Sequence, residues 1–183
     1  GIAKLRVGLA AWRKTGARLW LPIFLALEAE AHAKAGRSDT ALKTIDEALA
    51  ISDETGERWA VAEVLRIKAG LLQANGRATA DEIEDLLVTS LETARRQQAL
   101  SWQLRTTCDL ARLWQGQGRG DEALTLLQSI YDRFTEGFGT ADLIHAKALL
   151  ENLVASSGGR NGEGSSKRGR RPLAAGQRRG RHP

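Results

Sequence analysis

Paired carboxylates are the first residues in this chain whose spacing could carry chemistry. Asp81 and Glu82 stand side by side, as do Asp121 and Glu122, and Asp39 holds a similar place further upstream. Two adjacent acids can hold a divalent cation or share general acid–base work. Each of these, however, opens a segment with helical apolar spacing, where the partial positive charge of a helix N-terminus favours a carboxylate. No histidine stands nearby, so helix capping is their expected role. His32, His145 and His182 are isolated, without a Cys or His partner at metal-ligand spacing. Cys108 is the only cysteine and falls within the apolar pattern of Leu104, Thr107 and Ala111, which predicts a buried thiol and not a nucleophile. Gly116, Gly118 and Gly120 superficially match a phosphate loop, but they join two helices with no strand before them. No catalytic, cofactor or metal constellation emerges, and the chain is expected not to be an enzyme.

Charge offers a second kind of chemistry. The net charge of +5 arises at one end: residues 156–183 hold eight basic side chains against Glu163 alone, leaving −2 for residues 1–155. Lys167, Arg168, Arg170, Arg171, Arg178, Arg179 and Arg181 form the basic runs, among Gly, Ser and Pro with one large apolar residue, Leu173. Such a segment has too little to bury to offset its ordering entropy, so disorder is expected. It can attract nucleic acid or another polyanion through counterion release, or remain a solvated extension; no aromatic is interleaved for base stacking.

These groups must be positioned by helices. Prolines number three, aromatics make up 5% and the chain is rich in Ala, Leu, Glu and Arg, a composition that favours an all-α fold. One cysteine suits a reducing compartment, so a cytoplasmic location is expected. No apolar run reaches the roughly 18 to 20 residues of a membrane span, and no membrane partner is expected. The chain opens at Gly1 inside a helical pattern, lacks a signal-like core and has no methionine, and so reads as part of a longer protein.

The elements recur. Ala29, Ala69 and Ala111 are each followed seven residues later by a Gly-Arg pair, at Gly36, Gly76 and Gly118, giving periods of 40 and 42 residues. Each pair sits between two amphipathic segments, the pattern of stacked helix–turn–helix units. Apolar spacing predicts a first helix ending at Thr15–Gly16, then pairs 20–35 with 38–55, 59–74 with 79–98 and 102–117 with 121–134, and a capping helix 141–154. Residues 1–155 are thus expected as one repeat domain, with 156–183 as its tail. Trp12, Trp20, Trp59, Trp102 and Trp114 recur near helix ends, where they are expected to wedge between helices.

Aligned on their glycines, the units resemble tetratricopeptide (TPR) repeats. In that family small or apolar residues follow the turn glycine at plus five, nine and twelve, as do Ala41, Ile45 and Ala48 after Gly36, and Ala123, Leu127 and Ile130 after Gly118. The middle unit has Asp81 and Asp85 at the first two places, which implies a second helix shifted by one or two inserted residues. The periods exceed the family's usual 34, implying longer helices. Ligands of this family lie on the concave face of the first helices. The resemblance maps that face to Ile23, Ala26, Glu30 and Ala33, then Glu63, Arg66, Gly70 and Gln73, then Arg105, Cys108, Arg112 and Gln115. Its polar members Glu30, Glu63, Arg66, Gln73, Arg105, Arg112 and Gln115 are the candidate partner-binding residues, with the three arginines suited to an acidic protein segment.

TGARLWLPIFLALEAEAHAKAG, TGERWAVAEVLRIKAGLL, ARRQQALSWQLRTTCDLARLWQGQGR and IYDRFTEGFGTADLIHAKALL cover most of residues 12–150. They resemble the carboxy-terminal helical repeats of large bacterial signalling proteins, with the FTEGF turn at 134–138 the most specific mark. In those proteins a class III adenylate or guanylate cyclase domain, or another output domain, precedes an AAA-type ATPase module. The resemblance implies a regulatory scaffold acting on its own catalytic module or recruiting a protein. Cyclase metal-binding aspartates and a G-x-x-x-x-G-K-[ST] loop are both missing from these 183 residues, so such activity would lie elsewhere in the protein.

Overall fold

The computed structural model describes residues 2–163, in which eight helices follow one another and no strand occurs. They are α1 Ile2–Lys14, α2 Leu21–Lys34, α3 Ser38–Thr55, α4 Val61–Ala74, α5 Ala80–Arg96, α6 Leu100–Gly116, α7 Gly120–Tyr131 and α8 Ala141–Glu163. Neighbours in sequence pack together, with α2 on α3, α4 on α5 and α6 on α7 most extensively. In addition α2 touches α4, α4 touches α6 and α6 touches α8, so the first helices of the units form a continuous row. The helical-repeat solenoid expected from the sequence is the fold.

The Gly-Arg pairs set the geometry of each unit. Gly36, Gly76 and Gly118 take φ of 74, 59 and 81°, a left-handed conformation that costs glycine nothing. Arg37 N–H then donates to the His32 carbonyl, Arg77 to Leu72 and Arg119 to Trp114, while each glycine N–H donates three residues back. These paired bonds are the Schellman closure, which satisfies the last carbonyls of α2, α4 and α6. Gln98 repeats the closure between α5 and α6, its N–H on Arg95 and that of Ala99 on Ala94, but with φ 55° on a residue bearing a Cβ. Gln98→Gly is therefore expected to raise unfolding stability by roughly 0.5–1 kcal/mol, the relieved strain exceeding the added chain entropy. A higher denaturant midpoint at unchanged slope would establish it, and an unchanged midpoint would refute it.

Ala29, Ala69 and Ala111 are each fully buried, as are Ala41, Ile45 and Ala48 of α3 and Ala123 and Leu127 of α7. Small residues at these points let paired helices approach closely. The middle unit's shift is two residues: Ile83, Leu87 and Ser90 occupy the core places of Ala41, Ile45 and Ala48, leaving Asp81 and Asp85 exposed. Ser90 brings a hydroxyl into that core and satisfies it on the Ala62 carbonyl at 2.7 Å and on Thr106 Oγ1 at 2.9 Å.

Several helix ends are corrected: α5 stops at Arg96, two residues short of the expected end, and α6 starts at Leu100, two residues before the expected start. α4 starts at Val61, two residues later than expected, and α7 stops at Tyr131, where residues 132–140 turn instead of continuing to 134. α8 runs to Glu163, past the expected end at Val154, so residues 156–163 are helical and not an irregular tail. Contacts from neighbouring helices hold the first residues of the extension: Gln115 Nε2 lies 3.5 Å from Ser156 Oγ, and Ser157 Oγ donates to Asp121 Oδ1 at 2.8 Å. The basic positions Lys167, Arg168, Arg170, Arg171, Arg178, Arg179 and Arg181 lie outside the described residues.

The tryptophans join the units. Trp20 meets Trp59 with ring centroids 4.6 Å apart, and Trp59 stacks on Trp102 at 5.9 Å, one ring from the start of each first helix. Trp12 meets Phe24 edge-on and donates its Nε1–H to the Leu19 carbonyl, tying α1 to α2.

Candidate partner-binding cleft

The row of α2, α4, α6 and α8 encloses a cleft of about 490 Å³. Its floor is charged because residues three and four apart on one helix share a face. Glu63 and Arg66 of α4 form a bidentate pair, Arg66 Nε to Oε2 and Nη2 to Oε1, both 2.9 Å. Arg66 Nη1 crosses to Asp109 Oδ2 of α6 at 2.9 Å, and Arg112 Nη1 meets Asp109 Oδ1 at 2.9 Å. Arg105 of α6 spans the other way, with Nη1 3.1 Å from Glu63 Oε1 and Nε 2.7 Å from Asp142 Oδ2 of α8. Glu30 of α2 approaches Arg66 at 3.9 Å. One ionic chain thus runs across all four helices.

Burial is graded along that chain. The Glu63 side chain is 6% exposed and that of Arg66 18%, whereas Arg105, Arg112 and Asp142 are 38–41% exposed. A nearly dehydrated carboxylate requires compensating charge, which the two arginines supply. For Arg66, burial opposes the charged form but is outweighed by Glu63 and Asp109, so its pKa is raised above the ordinary arginine value. Arg105 is raised likewise, with burial opposed by Asp142 and Glu63. Leu27, Leu104 and His145 contribute less polar lining.

Of the seven residues mapped by resemblance, Glu30, Glu63, Arg66, Arg105 and Arg112 meet in this cleft. Gln73 is exposed on α4 outside it, and Gln115 instead bridges α6 to α8. Each arginine already faces carboxylates of the same floor, and Asp109 and Asp142 are the acidic cleft residues that the sequence reading missed, beside Leu27, Leu104 and His145 of the lining. The i, i+3 spacing of Asp109 with Arg112 carried a legible signal for the first; nothing local marked the second.

The acids lie in the first turns of α3, α5 and α7, but the expected capping is met only at α5; the residues before α3 and α7 make no side-chain cap. Thr79 and Glu82 form a reciprocal capping box at α5, and these bonds, the backbone one foremost, hold the Glu82 carboxyl below its usual range. Glu122 is lowered by its hydrogen bonds from Arg119, which also grips Glu84 and lies 4.5 Å over the Trp114 ring. Among the described residues no His, Cys, Asp and Glu side chains cluster as a metal site would. No helix among them is long and apolar enough to cross a membrane.

Cys108 is 5% exposed, and burial, chiefly, pushes its thiol up to about 12. At pH 8 roughly one thiol in 10⁴ is ionised, so native Cys108 is expected to alkylate with iodoacetamide orders of magnitude more slowly than in urea. Equal rates in the two conditions would contradict the burial.

No family model matches the chain. It is 34% identical over 94 residues to an uncharacterized protein of Rhizobium meliloti (strain 1021); the match takes in 51% of this chain and 9% of that protein. Among solved structures, it resembles the nearly identical TPR-like repeats of a Podosopora anserina kinesin light chain, with TM-score 0.63 and 18% identity. That likeness covers 88% of this chain and 79% of the other. BtubC (BKLC) from P. vanneervenii gives TM-score 0.57 at 18% identity, over 90% of this chain and 73% of the other. The fold is accordingly a TPR-like helical repeat.

Proposed function

We propose that the repeats are a protein-interaction scaffold, whose cleft receives a polypeptide segment and which does no chemistry of its own. The observation that carries this reading is the ionic chain across α2, α4, α6 and α8. It fixes arginines and carboxylates before any partner arrives, so little side-chain ordering remains to oppose binding. Arg105, Arg112 and Asp142 combine partial exposure with fixed positions, the combination a docking segment needs. With Glu30, Glu63, Asp109 and Asp142 against three arginines, the floor is close to neutral, which favours a segment of mixed charge over a purely acidic one.

The parent in this reading is a longer bacterial signalling protein, and the segment belongs to its own nucleotide-cyclase or ATPase module or to a separate protein. The resemblance of residues 12–150 to repeats of that setting supports it, and the small share of the Rhizobium meliloti protein that the chain spans supports the greater length alone. Panning a random-peptide display library on the 183-residue chain tests the binding. Enriched peptides that lose affinity tenfold or more for Arg112→Glu or Arg105→Glu support the cleft. Peptides that bind both variants as well as the parent, or no enrichment, would overturn it.

A further inference from the structure

Successive second helices do not touch: α1 and α3 pack on α2, α3 and α5 on α4, and α5 and α7 on α6. The repeat makes the spaces between them comparable residue by residue. Leu9, Leu49 and Leu91 each stand seven residues before the left-handed residue that follows their helix, Gly16, Gly56 or Gln98. On the first helices, Leu21, Val61 and Gln103 stand fifteen residues before the turn glycine of their unit, and Leu25, Leu65 and Thr107 eleven before it. In the first space Leu9, Leu21 and Leu25 are 0–6% exposed, and in the third Leu91, Gln103 and Thr107 are 0–4% exposed. In the middle one Leu49 and Leu65 are only half-buried, and with Val61 they line an open groove of about 650 Å³.

The difference traces to one position. Ten residues beyond the core places of Ala41, Ile83 and Ala123 stand Ile51, Thr93 and Arg133. Ile51 is buried in the apolar cluster that holds Leu9, Leu21 and Leu25. Arg133 reaches to Gln103 Oε1 at 2.6 Å. Thr93 turns its hydroxyl back to the Thr89 carbonyl at 2.8 Å and is too short to do what either counterpart does. Charge marks one end of the groove. Arg96, which also lines it, donates Nη2 to Thr93 Oγ1 at 3.1 Å and meets no carboxylate among the described residues. Its counterpart on α3, Glu54, is matched by Arg18, and Asp53 across the groove is already held by Arg58 at 2.7 Å.

We propose that this groove is a second docking surface, for a segment of another protein that inserts one large apolar side chain over Leu49, Val61 and Leu65 and sets a carboxylate on Arg96. The apolar anchor does there what Ile51 does in the first space, and the carboxylate gives Arg96 the opposite charge that Glu54 finds in Arg18. The groove shares no lining residue with the cleft, so one chain can hold two partners at once.

A display library of random peptides, panned on the full 183-residue chain and counter-selected on its Thr93→Ile variant, tests this. Isoleucine fills the groove as it does on α3, so counter-selection removes peptides that bind the cleft or any other face. Survivors that pair a large apolar residue with Asp or Glu are expected, losing affinity tenfold or more for Arg96→Glu and unchanged for Arg112→Glu. Circular dichroism is expected to show the parent's helix content in each variant; if Thr93→Ile loses helix, Leu49→Lys, on a half-buried side chain, takes its place in the counter-selection. The proposal is overturned by an absence of survivors, by survivors without an acid, by survivors that bind Arg96→Glu as tightly as the parent, or by survivors that Arg112→Glu weakens.

Discussion

Replacing Ala69 or Ala111 with arginine is expected to cost at least about 4 kcal/mol, enough to unfold the chain or leave it molten at ordinary temperature. Both side chains are fully buried between paired helices. An arginine there must push the helices apart and bring an unpaired charge with it, two of the few mechanisms behind such large losses. The neighbouring Gly70 provides the contrast on the same helix: it is exposed, and a Cβ built on it meets nothing within 4 Å. Gly70→Ala is expected to add roughly 0.5–1 kcal/mol through helix propensity. Circular dichroism and urea titration separate these outcomes, and a stable Ala69→Arg protein would show that the repeat register is misassigned.

Glu63→Ala carries the second large effect. Its carboxylate is held by Arg66 and Arg105, and its loss strands the mostly buried Arg66 on Asp109 and the distant Glu30. About 3 kcal/mol of destabilisation is expected, or roughly 6–12 °C in Tm for a chain of this size. Removing one partner of an exposed pair is the control. Arg18 and Glu54 meet at 2.5 Å, but their side chains are 49% and 61% exposed, so Glu54→Ala is expected to change stability by no more than about 0.5 kcal/mol. Equal losses in the two variants would remove the distinction between a structural ionic chain and surface decoration.

What could be read from the residues was whatever local geometry dictates. The three Gly-Arg turns were legible because a left-handed closure selects glycine, and the misfit of Asp81 and Asp85 announced the inserted residues of α5. Gln98 was opaque because it fills the same closure without the signature residue. The arginines of the cleft were placed by family resemblance, but their partners were not: Arg66 and Asp109 are 43 residues apart, Arg105 and Asp142 are 37 apart, and only stacking brings them together. The length of α8 escaped for the same reason, since Ser-Ser-Gly-Gly is a poor helix former and its two serines meet Gln115 and Asp121 only once the helices stack.

The most direct test of the account is an amide NMR titration of the chain with a peptide enriched by panning. Shifts confined to α2, α4, α6 and α8, strongest around Arg105, Arg112 and Asp142, are the predicted result. Shifts centred on α3, α5 and α7, with the cleft unmoved, would contradict the claim that the row of first helices is the binding face.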